Sequence, residues 1–131
     1  MNIRNNFQLV GRLTQDPQVF DNQDGSKKVR IILAAKDNFQ GKDGTYGSQF
    51  IPCEGFVTKE SVAKNGIGVY ANMHKRDMVG VTGQIQNNNY KDKDGVDHFD
   101  ITLHIETRDL LEPKSITDAR LGARAAEGAA E

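Results

Sequence analysis

Tryptophan is absent from this 131-residue chain, cysteine occurs once, and neither sign of charge prevails. A single cysteine, Cys53, excludes an internal disulfide and fits a reducing compartment. No apolar run approaches the roughly 20 residues of a membrane-spanning helix. Met1 to Arg4 lead straight into an alternating pattern, without the apolar stretch of a signal peptide. A cytoplasmic protein with no membrane partner is therefore expected. Seventeen Lys and Arg face eighteen Asp and Glu, a net charge of −1, and residues 1–109 balance at 14 of each. That excludes the large positive excess by which many nucleic-acid binders declare themselves. Any contact with a polyanion must come from local arrangement.

What the chain does have is alternation. A hydrophobic fraction of 37% with 27% charged residues suits one soluble domain with a real core. From Asn6 to Leu13, Phe7, Leu9 and Leu13 share a face, and Asp16-Pro17 then breaks the run. Asn22 to Gly25 reads as a turn. Val29, Ile31, Leu33 and Ala35 share a face in the second run, Lys28 to Lys36, and a loop from Asn38 to Gly47 follows. Ser48 to Val57 is a third strand and Met78 to Tyr90 a fourth, with Val79, Val81 and Ile85 inward. Phe99, Ile101, Leu103 and Ile105 form a fifth alternation after the hairpin signal Asp94-Gly95. The helical candidate is Lys59 to Asn65, stopped by Gly66 and Gly68. Five strands with one short helix between the third and fourth is the order of an all-β OB-fold, a small Greek-key barrel. A five-stranded sandwich fragment is the alternative, which the helix placement disfavours. Residues 1–112 form this domain. After Pro113 the composition turns to Ala, Gly, Glu and Arg, and residues 113–131 are expected to be a flexible tail.

Strand phase also selects candidate binding residues. In the third strand Ile51, Cys53 and Val57 point to the core, so Phe50 and Phe56 project from the wet face with Pro52 and Glu54. Tyr90 falls in phase with the polar Thr82, Gln84, Gln86 and Asn88. Exposed rings on a sheet call for a cover. Stacked nucleic-acid bases supply one, and a loop or a subunit interface is the competing explanation. Lys42, Lys91 and Lys93 lie on the two long loops beside Phe39 and Tyr90, and Arg4, Arg12, Arg30 and Lys75 are scattered around the barrel. Together they are candidates for phosphate contacts. Catalytic sets do not assemble. Cys53 with His74 or His98 would make a nucleophile and base, but Cys53 lies on the core face. The three histidines and one cysteine lack zinc-ligand spacing, and Asp92, Asp94 and Asp97 lack the other ligands of a calcium loop. No Walker loop or dinucleotide fingerprint is present. Neither an enzyme nor a cofactor is expected.

Several strings carry a family resemblance. Leu9-Val10-Gly11-Arg12-Leu13-Thr14-Gln15-Asp16-Pro17 resembles the opening strand of bacterial-type single-stranded DNA-binding proteins. Ile32-Leu33-Ala34-Ala35 leading to Phe39 is similar to their second strand, and Phe50-Ile51-Pro52-Cys53-Glu54-Gly55-Phe56 to their third. Val81-Thr82-Gly83-Gln84-Ile85, then Tyr90 and Asp94-Gly95, resembles the fourth strand and hairpin. Leu111-Glu112-Pro113-Lys114 resembles the end of the domain. The likeness covers residues 3 to 114. It implies a homotetramer that holds single-stranded DNA with little sequence preference in replication, recombination and repair. Its stacking positions fall on Phe39, Phe50, Phe56 and Tyr90, where tryptophan is frequent in the family.

Three departures shape the expectation. Gln86-Asn87-Asn88-Asn89 stands where the family carries Arg or Lys, implying weaker and less salt-sensitive binding. Lys64 to His74 is longer and richer in glycine. The chain closes on Ala125-Ala126-Glu127-Gly128-Ala129-Ala130-Glu131 and not on the family's acidic recruitment tip. Recruitment of replication or recombination proteins by that route is expected to be absent, as in a phage- or plasmid-encoded version. An OB-fold adaptor that binds mainly proteins in a primosome-like assembly is the alternative, favoured by the neutral charge.

Overall fold

A computed structural model describes residues 4–130, with side chains described as far as residue 124. Expectations resting on Met1 to Ile3 and on the side chains of residues 125–131, the missing acidic tip among them, lie outside these. The chain runs β1 (Phe7–Leu13), β2 (Gln18–Asp21), β3 (Lys27–Lys36), β4 (Ser48–Val57), α1 (Lys59–Asn65), a 3-10 turn (Gly68–Asn72), β5 (Met78–Asn87), β6 (Tyr90–Lys91), β7 (Asp97–His98), β8 (Ile101–Leu110) and α2 (Lys114–Ala130).

β1 runs antiparallel to β5, and β5 to β8. β8 lies parallel to β4 at Cys53↔Leu103 and Glu54↔His104, and β4 is antiparallel to β3 over its whole length. β3 returns to β1 through Arg12↔Ala34 and Leu13↔Leu33, which closes a five-stranded barrel. This is the expected OB-fold with a helix between its third and fourth barrel strands. The core is the inward phase of the alternation: Leu13, Val29, Ile31, Leu33, Cys53, Val79, Val81 and Ile105 are buried. Each such aliphatic side chain contributes about 1.5–3 kcal/mol by leaving water.

Thr58 caps α1 by accepting the Ser61 N–H at 3.3 Å, and Gly66, at φ 62°, ends it with its N–H on the Val62 carbonyl. The glycine-rich stretch beyond is a plug for the barrel and no longer helix: the 3-10 turn buries Tyr70, and Met73 follows it inward. Gly55 leaves room for the tyrosine, since a Cβ there would lie 2.1 Å from its hydroxyl oxygen. Arg108 points inward from β8 and lays its guanidinium 4.7 Å from the Tyr70 ring.

Three features depart from the sequence reading. β2 pairs with β3 at the sheet edge, where only a broken connection was read. Ile85, expected inward, is 43% exposed, and Phe99 and Ile101 are more exposed still. The β5–β8 hairpin overshoots the barrel there, so its inner face meets no opposing strand. Finally, the stretch read as a flexible tail forms α2 over Lys114–Ala130. Arginines fasten it. Arg120 donates to both Glu112 oxygens at 3.0 and 2.9 Å and to Asp77 at 2.9 Å, and Arg124 grips Asp16 at 3.0 and 3.1 Å. Thr117 is buried beneath the helix. Among the described residues no helix is long and apolar enough to cross a membrane.

Candidate nucleic-acid interface

The outward phase of β4 presents Phe50, Pro52, Glu54 and Phe56, and the two rings are 68% and 51% exposed. Six residues of extended chain separate them, roughly 20 Å at 3.3 Å per residue. Beside β4 the outward residues of β3 are Lys28, Arg30, Ile32, Ala34 and Lys36, directly opposite Phe56, Glu54, Pro52, Phe50 and Ser48. The face therefore carries a ring at each end with charge between them. Lys28 lies 3.7 Å from Glu54, which offsets the acid in the middle of the face. Arg30 lines a cleft of about 240 Å³ with Pro52, Glu54, Asn88, Asp100, Ile101 and Thr102. The hairpin arm leaves the barrel at that cleft.

Tyr90 stands on the arm. Strand phase put it in β5, but β5 ends at Asn87, and Tyr90 opens the separate ribbon β6–β7 opposite His98. Its ring stacks on the His98 imidazole, with centroids 4.7 Å apart and planes 10° from parallel. His98 Nε2 lies 2.8 Å from Asp92 Oδ2, while the other Asp92 oxygen accepts the N–H groups of Asp94 and Val96 at 2.9 and 3.0 Å. The His98 contact, with those N–H groups, holds the Asp92 carboxyl below the usual range. The aspartate turn thus fixes the imidazole, and the imidazole backs the tyrosine. The Tyr90–His98 pair borders an open cleft of about 400 Å³ with Asn89, Lys91, Asp97 and Phe99.

Phe39 heads the loop of residues 37–47 and is 85% exposed. That loop is pinned at its neck by the Asp37 N–H on the Gly47 carbonyl and by Gln49 Nε2 on Asp37 Oδ1. Lys42 is exposed on it, and Lys36 lies 4.1 Å over the Tyr46 ring at its base. Of the remaining basic candidates, Lys91 is 4.0 Å from Asp97 and Lys93 is exposed in the turn of the arm. Arg4 is exposed just before β1. Arg12 shares a cross-strand row with Ala34 and Phe50, but its guanidinium donates to the Arg76 carbonyl and to Glu112. Lys75 lines the cleft under α2 with His74 and Arg120, so these two cations are not gathered with the rings. Burial pushes the Cys53 thiol up to about 11, which removes it as a nucleophile at neutral pH.

Two exposed rings of this face were not singled out from sequence. Phe20 lies behind the Asp16-Pro17 break. The signal that could have found it is the turn at Asn22 to Gly25 between two short apolar-charged segments, a hairpin pattern. His98 sits one residue before the fifth alternation and was read as loop.

The single-strand binding protein family model matches residues 4–111. The chain is 38% identical over 111 residues to the single-stranded DNA-binding protein of Malacoplasma penetrans, covering 85% of this chain and 53% of that protein. It is 31% identical over 121 residues to the protein of that name in Lactiplantibacillus plantarum, covering 92% and 57%. It is 32% identical over 111 residues to single-stranded DNA-binding protein A of Bacillus subtilis, covering 85% and 61%. The chain thus spans little more than half the length of these relatives.

Proposed function

Because the chain belongs to the single-strand binding protein family, we propose that it binds single-stranded DNA with little sequence preference. It lays bases on Phe39, Phe50, Phe56 and Tyr90 and performs no reaction of its own. The observation that carries the reading is the pair Phe50 and Phe56, exposed in one phase on a barrel face that continues toward the Tyr90 platform. Any base has a π-face, so stacking at about 1–3 kcal/mol per base is indifferent to sequence. Arg4, Arg30, Lys42, Lys91 and Lys93 contact phosphates, and Arg12 and Lys75 contribute where a longer strand reaches them. The amides of Asn87, Asn88 and Asn89 bond phosphate oxygens without releasing counterions, so salt weakens binding less than in a lysine-rich groove. The working form is a homotetramer in the cytoplasm that shields exposed strands during replication, recombination or repair.

Fluorescence anisotropy with labelled oligo-dT tests this. Phe50→Ala and Tyr90→Ala are each expected to weaken binding by about 1–3 kcal/mol, with the duplex of the same length bound far less. Equal binding of duplex and single strand defeats the reading. Affinity that ignores both substitutions favours the protein adaptor instead. Log affinity against log salt should fall by about 0.7 per phosphate neutralised.

A further inference from the structure

We infer that the base-stacking track runs one step beyond Phe56, across β3 to Phe20 on the edge strand β2, with Lys28 as the phosphate contact between the two rings. The inference rests on the binding mode proposed above and extends it to a residue outside the four stacking positions. Its basis is register. Phe20 is directly opposite Lys28, and Lys28 is directly opposite Phe56. Directly opposed residues share a face, and adjacent strands lie about 4.8 Å apart, so the two rings stand roughly 10 Å apart on the outside of the barrel. Phe20 is 45% exposed, although it is a large apolar ring on an edge strand.

The order across the three strands is ring, cation, ring. A single strand of nucleic acid offers the complementary order, base, phosphate, base. The Lys28 Nζ now lies 5.0 Å over the Phe20 ring and 3.7 Å from Glu54, contacts it can exchange for a phosphate oxygen as a base takes its place on the ring. The neighbouring row, Gln18, Arg30 and Glu54, supplies a second cation on the same side of the track. Asp21 is removed from the electrostatic balance of the edge strand because Lys27 pairs with it.

The test titrates the full chain with 5′-labelled oligo-dT of graded length, comparing wild type, Phe20→Ala, Phe20→Leu, Lys28→Ala and Phe50→Ala. Phe20→Ala is expected to bind long oligonucleotides roughly tenfold more weakly, the loss of one stacked base. It should bind unchanged those too short to span from the arm to β2, and should occlude fewer nucleotides per protomer. Phe20→Leu separates stacking from mere cover of the lysine stem: the same loss as alanine supports the track, and full rescue by leucine overturns it. Lys28→Ala should make the salt slope shallower by about 0.7, one phosphate. If Phe20→Ala binds every length as wild type while Phe50→Ala weakens, the track ends at Phe56 and the inference fails alone. If Phe50→Ala also binds as wild type, the binding mode itself falls with it. Ultraviolet crosslinking of bound oligo-dT, mapped by peptide mass, should give an adduct at Phe20.

Discussion

Tyr90 presents one ring face to solvent because its other face is occupied by His98. A single exposed tyrosine samples several rotamers, and ordering it on binding costs entropy. The imidazole beneath it, held by Asp92, meets part of that cost in advance. His98→Ala should therefore weaken oligo-dT binding by about 0.5–1.5 kcal/mol, the worth of an aromatic pair. His98→Phe should retain most of the affinity even though it loses the Asp92 contact. Anisotropy titration distinguishes them, and equal losses in both would assign the role to the hydrogen bond and not to the ring. Phe50 and Phe56 were legible from sequence because β4 keeps strict alternation through Pro52, with no bulge to shift its phase. Tyr90 was found for a partly wrong reason, since the phase that selected it stops at Asn87. Phe20 and His98 were hidden because each owes its place to a partner strand that sequence periodicity does not reveal.

Between elements, the tightest approach is that of β5 to β8, where the register shifts between Thr82 and Gly83. A Cβ on Gly83 would come within 1.8 Å of the His104 carbonyl oxygen, a backbone atom that cannot turn aside. Gly83→Ala should destabilise the barrel by about 3 kcal/mol or more, at the upper end of overpacking effects. A urea titration would read this, and a wild-type midpoint would refute the close approach. All five barrel strands and α1 were legible, because apolar alternation and a Thr cap are local signals. β2 was not, being four residues long and wholly exposed. The docking of α2 was not legible either. Judged by apolar content the segment should fray, but its hold comes from Arg120 and Arg124 reaching Asp77, Glu112 and Asp16, acids distant in sequence. A charge network spread over three segments has no periodicity to detect.

For the molecule as a whole, that network ties stability to pH. Hydrogen bonds from Arg120 first, and from the Met78 N–H, lower the Glu112 carboxyl from 4.5 to about 2. A carboxyl depressed by folding stabilises the native state above its unfolded value, so its contribution is intact at neutral pH. It fades between about pH 4.5 and pH 2, as protons bind the unfolded chain first. Thermal unfolding followed across that window should show Tm falling in wild type. Arg120→Ala should begin from a lower Tm at pH 7 and lose less on acidification. Parallel pH curves for the two proteins would mean that Arg120 does not set the Glu112 titration. The same fastening reaches across almost the full chain: Arg12 meets Glu112, and Asp16 meets Arg124, 108 positions away. Such long-range closure belongs to slow folders. On the ribosome, β1 must wait for β5 to emerge before it gains its main partner, and for Glu112 and Arg124 before its end is clamped. Until then its apolar edge is a substrate for chaperones. Chains released short of residue 112 should be cleared by proteases, because the first strand made is among the last to be secured.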